Sequence, residues 1–260
     1  MKKLLIIVVS CLSLLIAGTV ELTSVRAKSP STMTELKASV EKHLIDLDKT
    51  FTIKYIGNGD DFAKYVNQLI PNAIAKKPEI DSVVKSYTVT SYRSKNGGEA
   101  TFNVKYYTSK AKQAKALDKI KCVAKKIKKK YPNSPYKQVK NVHNYVIGQT
   151  KYDSREADRY SIYGVMYDGR AVCQGYAMTT YYLLKELDID VRYVTGFAGG
   201  ENHAWNKVKL NGNWYNLDTT WDDSAASKYH YFLISDAKLA KNHQWNTSAF
   251  PKALKTYAAK

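Results

Sequence analysis

A tight turn at Asn211-Gly212 constrains the fold of this chain more than any other local feature. The segments on either side, residues 204–210 and 213–218, alternate apolar and polar side chains as half-buried strands do. An Asn-Gly pair between two such segments favours a two-residue type I′ turn. In that register Leu210 faces Asn213, and every other pair of the hairpin follows from this one.

The same register places His203 and Asp218 on one face of the sheet. His203 lies opposite Thr220, and Asp218 lies opposite Trp205, so the two side chains are diagonal neighbours. Diagonal neighbours have Cα atoms about 7–8 Å apart, a gap that an imidazole and a carboxylate can close with a hydrogen bond. A slip of one residue would put them on opposite faces.

The third group is the thiol of Cys173, in residues 169–177 with the sequence GRAVCQGYA. The pattern predicts a turn and then a helix that begins at or just after the cysteine. The positive end of a helix favours a thiolate, and its unpaired N–H groups can hold an oxyanion.

A thiol, an imidazole and a carboxylate are the parts of a nucleophile, its base and the group that orients the base. We predict that Cys173, His203 and Asp218 are catalytic, with His203 taking the thiol proton and later giving it to the leaving amine. Taken singly, each residue also has a structural interpretation: a core cysteine, a buried polar histidine, and a turn or cap aspartate.

The first residues predict the compartment. Lys2 and Lys3 precede an apolar stretch at residues 4–20, and small or polar residues follow to Ala27. This pattern is typical of a secretory signal peptide at residues 1–27, so we expect a secreted, cell-wall-associated protein that meets the membrane only through this segment. An uncleaved membrane anchor is the alternative. Cys11 resembles a lipid-attachment site but has too short an apolar stretch before it.

Cys122 and Cys173 are the cysteines that remain beyond the signal segment. A small secreted fold held together by disulfides has many more, so we expect free thiols. A Cys122–Cys173 bridge is the alternative, and it would consume the nucleophile. Cys122 falls among lysines on its helix, and we interpret it as a surface thiol without a function.

Positive charge is concentrated in one part of this chain, whose net charge is +18. Residues 105–140 contain thirteen lysines and one acid, Asp118. For an exported protein, the Lys110–Lys130 region predicts contact with an anionic cell-wall polymer rather than with nucleic acid. A solvated helix face without a partner is equally compatible, and salt-sensitive retention on cell walls separates the two.

Two structural units follow the signal segment. Residues 28–110 predict a small α/β N-terminal module, with helices at 34–47 and 62–74, a strand at 51–56 and a hairpin at 83–107. This module gathers no catalytic residue types, so we expect it to serve packing, positioning or substrate contact. Residues 111–260 predict the catalytic domain, with helices at 111–131, 135–147 and 173–187, a loop at 152–167, and strands at 191–196, 204–210 and 213–218.

These motifs resemble the transglutaminase-like superfamily of papain-fold cysteine enzymes, and its extracellular bacterial branch in particular. The resemblance covers about residues 115–245. It implies an α+β fold in which a Cys-bearing helix packs on an antiparallel sheet that carries the His and the Asp. Family members often have a His-Asp pair where this chain has His143-Asn144. The resemblance rests on residues 142–145, 172–177, 196, 203–206, 214–222, 231–236 and 243–245.

The resemblance implies a thioacyl intermediate on protein or cell-wall peptide substrates. Transfer of the acyl group to a lysine amine gives a crosslink. Transfer to water gives deamidation when the substrate is a glutamine side chain and proteolysis when it is a peptide bond. All three reactions stay open. A non-catalytic module that binds wall polyanions through its lysine-rich face is the alternative from another functional class.

The family uses a side-chain donor as the second part of its oxyanion site, and Gln174, Tyr163 and Tyr167 are candidates here. Trp205 and Trp221 are expected to wall the site.

We expect no cofactor and no metal, since Cys-x-x-Cys, His-Glu-x-x-His and calcium-loop spacings do not occur. The adjacent Asp222 and Asp223 are interpreted as a polar turn rather than a calcium site.

Overall fold

The computed structural model describes residues 29–155 and 157–258. The predicted signal peptide at residues 1–27 therefore lies outside the described residues. Within the described part of the chain, no helix is long and apolar enough to cross a membrane.

The first unit is a three-stranded antiparallel sheet, with strand order β1-β3-β2, packed against short helices. Thr32 caps the first helix by accepting a hydrogen bond from the backbone of Glu35 at 3.2 Å. Pro71 divides the helical segment predicted at 62–74, because proline fits the first turn of a helix but not its interior. The elements are α1 (Met33–Ile45), β1 (Thr50–Ile56), α2 (Gly59–Tyr65), a 3-10 turn (Val66–Gln68), α3 (Leu69–Lys76), α4 (Pro78–Asp81), β2 (Val84–Ser94) and β3 (Gly97–Tyr106).

The second unit is a five-stranded antiparallel sheet, with strand order β10-β6-β7-β8-β9, and the long helices that pack on it. The loop predicted at 152–167 also contains short regular segments. The elements are α5 (Lys110–Lys130), α6 (Pro135–Gln149), β4 (Lys151–Tyr152), a π-helical turn (Gly164–Asp168), β5 (Arg170–Ala171), α7 (Cys173–Glu186), β6 (Val191–Ala198), β7 (Glu201–Leu210), β8 (Asn213–Leu217), α8 (Thr219–Ser224), β9 (Phe232–Ile234), α9 (Asp236–Leu239), β10 (His243–Gln244) and a 3-10 turn (Thr247–Ala249).

Helix α7 is the centre of the second unit. Its apolar side chains Ala177, Leu183 and Leu184 are buried between the sheet and the helices α5 and α6. Asn206 on the central strand β7 donates a hydrogen bond to the carbonyl of Ala177 at 3.1 Å, which fixes the helix on the sheet. The predicted α+β class, with the Cys-bearing helix packed on an antiparallel sheet, is confirmed.

The buried apolar side chains of the two units form separate clusters. Leu36, Phe62 and Phe102 belong to the cluster of the first unit, and Ile120 and Val208 to that of the second. Each unit thus has its own core, while the boundary predicted near residue 110 stays a prediction.

Helix α5 presents the predicted lysine-rich surface. Its inner face buries Ala116, Ile120, Ala124 and Ile127, so its lysines are left on the outer face. Cys122 is exposed there, and both Cys122 and Cys173 are free thiols, as expected.

The register predicted from the Asn-Gly turn is confirmed. Leu210 pairs with Asn213, and the pairing continues without a shift to Asn206 and Leu217. Asn211 and Gly212 have φ values of 49° and 79°, as the central residues of a type I′ turn require.

Gly212 and Gly148 provide a matched test of this turn. A Cβ at either glycine meets nothing within 4 Å, but only Gly212 has a positive φ. We expect Gly212→Ala to lower the free energy of unfolding by about 1 kcal/mol through backbone strain. Gly148→Ala, on helix α6, should raise it by up to about 1 kcal/mol. Urea denaturation measures both, and equal effects from the two variants would contradict the turn assignment.

Candidate active site

His203 and Asp218 form a buried hydrogen-bonded pair at the edge of a cleft. His203 lies on strand β7, and its Nε2–H donates to Oδ2 of Asp218 at 2.7 Å. His203 is 8% exposed, and Asp218 is fully buried. The diagonal arrangement predicted from the hairpin register therefore brings the two side chains into contact.

Asp218 also begins helix α8. Its Oδ1 accepts the backbone N–H groups of Thr220 at 2.9 Å and Trp221 at 3.1 Å, the arrangement of a helix N-cap. Oδ1 thus caps the helix, as the structural interpretation expected, and Oδ2 binds His203, while the catalytic role of Asp218 stays a prediction.

A second histidine shares the Oδ2 atom of Asp218. His243, on the short strand β10, donates from Nε2 to this oxygen at 3.0 Å. Burial by itself raises the pKa of Asp218, but His203, His243 and the backbone N–H groups outweigh burial and hold that pKa below its ordinary value. Asp218 is consequently a stable anion at neutral pH.

Gly196 allows β10 to approach this closely. It lies opposite His203 on strand β6. A Cβ at this position would lie 2.1 Å from the carbonyl oxygen of Gln244 and 2.9 Å from the ring of Trp205. A glycine here therefore lets the strand that carries His243 close over the sheet.

Cys173 is the first residue of helix α7, as predicted. The preceding residue, Val172, provides no side-chain cap, so the first N–H groups of the helix stay available beside the thiol. Burial by itself lowers the pKa of His203, but the charge and hydrogen bond of Asp218, together with the Cys173 thiol, raise it to about 10. The imidazole is therefore protonated at neutral pH.

Cys173 and His203 line the same cleft, which has a volume of about 430 Å³. Tyr160 and Tyr193 also line it, and Asp81 reaches it from the first unit. The other lining residues are Gln174, Thr195, Gly196, Phe197, Asn202 and Ala204.

Gln174 lines this cleft, but its amide is already engaged. Its Nε2 donates to the carbonyl of Ser82 at 2.7 Å and to that of Tyr160 at 3.3 Å. Both amide hydrogens therefore have acceptors, and neither is left for an oxyanion.

Tyr163 and Tyr167 lie elsewhere, so their prediction as oxyanion or wall residues is wrong. The two rings stack on each other at 4.9 Å against helix α5. Lys112 lies over Tyr163, and Lys115 lies over Tyr167. The π-helical turn carries both tyrosines away from the cleft, and Tyr160 is the tyrosine of this loop that lines it.

The two tryptophans lie on different sides of His203. Trp205 is buried behind the imidazole and stacks on it at 5.9 Å between ring centroids. Trp221 lines a cavity of about 340 Å³ on the other side of His203, with its ring 5.9 Å from the imidazole. Trp221 thus lines the cavity beside His203 and not the cleft with Cys173, Trp205 packs against the imidazole from the core, and their role as walls of the site stays a prediction.

The two acids after Asp218 do not form a polar turn. Both belong to helix α8, and Asp222 is fully buried, with its Oδ2 accepting a hydrogen bond from His143 Nε2 at 2.9 Å. Asp223 accepts the hydroxyl of Tyr176 at 2.7 Å. The family resemblance predicts an acid directly after His143, where this chain has Asn144. The carboxylate that contacts His143 is instead that of Asp222.

One cluster of the described residues has the donor atoms of a metal site: His203, Asp218 and His243, whose atoms lie within 4.8 Å of one another. Both imidazoles donate hydrogen bonds to the carboxylate between them. The cluster therefore satisfies its own polar groups as a hydrogen-bond network.

The sequence interpretation assigned no role to Asp81, Tyr160, Tyr193 or His243. The one available signal was the 243–245 block, which carried family resemblance without a role. Nothing in the sequence around Asp81 indicated a role in the site, because Asp81 reaches the cleft from another unit and belongs to no recognisable catalytic or binding motif.

Comparison with known proteins agrees with this geometry. Residues 121–219 match the family model described as the transglutaminase-like superfamily. The matched segment contains Cys173, His203 and Asp218.

The chain is also similar to kyphoscoliosis peptidase from Mus musculus and from Homo sapiens, with 33% identity over 82 residues. The match covers 25% of this chain and 12% of each of those proteins.

Among solved structures, a TGase matches with 14% identity and a TM-score of 0.38, over 65% of this chain and 51% of that one. The periplasmic domain of TgpA from Pseudomonas aeruginosa matches with 14% identity and a TM-score of 0.34, over 52% of this chain and 62% of that one. From the family match, we conclude that residues 121–219 form a transglutaminase-like domain.

Proposed function

We propose that this protein is a secreted cysteine enzyme that acts on amide bonds of protein or cell-wall peptide substrates through a thioacyl intermediate at Cys173. The observation that carries the proposal is the hydrogen bond between His203 and the buried carboxylate of Asp218, beside the cleft that contains the thiol. The signal-peptide pattern at residues 1–27 supports the secreted location.

The first chemical step is attack by the sulfur of Cys173 on the carbonyl carbon of the amide. The proton of the thiol is already on His203 before this attack, because the hydrogen-bonded carboxylate of Asp218 keeps the imidazole protonated. The carbonyl oxygen then carries a negative charge, and the uncapped N–H groups at the start of α7 are suited to stabilise it.

Collapse of this intermediate breaks the carbon–nitrogen bond. His203 gives its proton to the departing nitrogen, which leaves as an amine or as ammonia, and a thioester remains on Cys173. In the second step, water or a substrate amine loses a proton to His203 and attacks the thioester, which restores the thiol. Water completes proteolysis or deamidation, whereas an amine completes a crosslink.

Replacing the three residues tests this proposal. Cys173→Ala and His203→Ala should each lower kcat/KM by at least about 10³-fold, since they remove the nucleophile and the base. Asp218→Asn should also lower it strongly, because the imidazole loses its orienting carboxylate. Incubating dimethylated casein with and without a biotinylated alkylamine distinguishes the reactions: new amino termini indicate proteolysis, ammonia release indicates deamidation, and incorporated amine indicates transfer.

Cys122→Ser is the matched control, since Cys122 is an exposed free thiol on α5. Its activity should stay within about twofold of the original chain. Full activity of Cys173→Ala on any substrate that the original chain processes would refute the mechanism.

The charge of His203 gives a second test. Its pKa is raised to about 10, so its protonation stabilises the fold fully below the ordinary imidazole value of about 6.5. That contribution is lost as the pH rises toward 10. In Asp218→Asn the carboxylate charge is absent and burial dominates, so the pKa of His203 should fall well below its original value. Nuclear magnetic resonance titration of ¹⁵N-labelled imidazoles measures this, and an unchanged midpoint would exclude the charged pair.

His243 should act as a positioning residue for Asp218. His243→Leu removes a donor that lowers the pKa of Asp218, so that pKa should rise. Activity should then be lost at a higher pH as the solution is acidified, with kcat lowered about tenfold and KM little changed. His243→Gln, which keeps an N–H donor, should restore part of the original pH profile. If His243 serves folding alone, His243→Leu should reduce stability without shifting the acidic limb of the pH–activity profile.

A further inference from the structure

Asp81 is an acidic residue of the first unit that reaches the cleft containing Cys173. Among the described residues that line this cleft it is the only acid, and no lysine or arginine lines it. The chain as a whole has 41 lysines and arginines against 23 acids. Asp81 thus places a carboxylate in the cleft of a protein whose overall charge is positive.

The position of Asp81 relative to the nucleophile is fixed by hydrogen bonds on both sides of it. Glu79 accepts the hydroxyl of Tyr181 at 2.7 Å, and the carbonyl of Ser82 accepts the amide of Gln174 at 2.7 Å. Tyr181 and Gln174 both belong to α7, the helix that begins with Cys173.

Helix α4 is also anchored in its own unit. Ile80, next to Asp81, is fully buried in the first core. The apolar neighbour thus points into the core while Asp81 faces the cleft, and the carboxylate lies on a rigid element.

The carboxylate of Asp81 has no hydrogen bond or ion pair with any residue in the described ranges. Burial raises its pKa. A partly buried charge without a partner costs stability, and such residues persist where a ligand supplies the missing partner.

Charged side chains are distributed unevenly around Asp81. Asp81, Tyr193 and Thr195 also line a neighbouring cavity of about 500 Å³, which contains Lys185 and Arg192. Asp81 therefore lies between the two cavities, and the lysines and arginines line only the neighbouring one, which also contains Lys76.

We propose that Asp81 binds a cationic group of the substrate beside the amide that Cys173 attacks, so that the chain selects substrates carrying an ammonium or guanidinium at this place. The inference rests on the proposed function, since it concerns the substrate of the same site. It makes Asp81 a specificity-determining residue contributed by the first unit.

Thiol-modifying reagents of different charge test this without a known substrate. In a Cys122→Ser background, the rate of Cys173 modification is measured by mass spectrometry with a cationic, a neutral and an anionic methanethiosulfonate. Asp81→Asn should lower the ratio of the cationic to the neutral rate by about threefold or more, since it removes one negative charge near the sulfur. Asp81→Glu keeps the charge and should keep most of the preference.

Glu201→Gln is the matched control, because Glu201 lines the cavity on the other side of His203. Its ratio should stay close to that of the parent. An unchanged ratio in Asp81→Asn, or an equal fall in Glu201→Gln, would overturn the proposal. Thermal unfolding should show Asp81→Asn to be no less stable than the parent, because it removes a charge that has no partner.

The reagent assay reports on the cleft even if turnover is absent, so its failure and the failure of the proposed function are distinguishable. If a peptide amide is turned over, lysine beside the reacting residue is exchanged for norleucine and the rate of acylation is measured. This comparison tests whether the cation recognised by Asp81 lies on the acyl donor. Adding a cationic or a neutral amine acceptor tests the second step. Asp81→Asn should reduce the preference for the cation in one of these two steps, and an effect in neither would refute substrate selection.

Discussion

The carboxylate of Asp218 is the contact on which the site depends. Its two oxygens accept four hydrogen bonds: two from the backbone of α8, one from His203 and one from His243. These donors come from the central strand, the edge strand β10 and the helix after β8, so one buried charge joins three elements. A buried charge is tolerated only when it is satisfied in this way, and its satisfaction orients the imidazole toward the cleft.

Much of this arrangement was predictable from local sequence. The Asn211-Gly212 turn determines the register, the register places His203 and Asp218 on one face, and the pattern at 169–177 begins a helix at Cys173. Each step depends on residues close together in the chain. What failed required tertiary information: Tyr163 and Tyr167 turn toward α5 because the loop before Gly169 ends in a π-helical turn, which no periodicity announces.

The cleft itself could also not be predicted without tertiary information. Part of its wall comes from the first unit, and the position of that part depends on two hydrogen bonds that side chains of α7 donate to Glu79 in α4 and to Ser82 just after it. Gln174 has a different role from the one that its sequence position suggested. Its place next to the nucleophile suggested chemistry, but its amide instead fixes the first unit against the helix that carries the thiol. The first unit therefore contributes Asp81 to the wall of the cleft.

The two acids of the site differ in how their charges are satisfied. Asp218 is surrounded by donors of its own chain, so it is a stable anion whose position is set before any substrate arrives. Asp81 is partly buried without such donors, so its charge is fully stabilised only by something that enters the cleft. A group that must orient a catalytic imidazole benefits from complete internal pairing, because rigidity is its function. A group that must distinguish substrates needs an unfilled position, because a carboxylate already paired within the protein has nothing left to recognise.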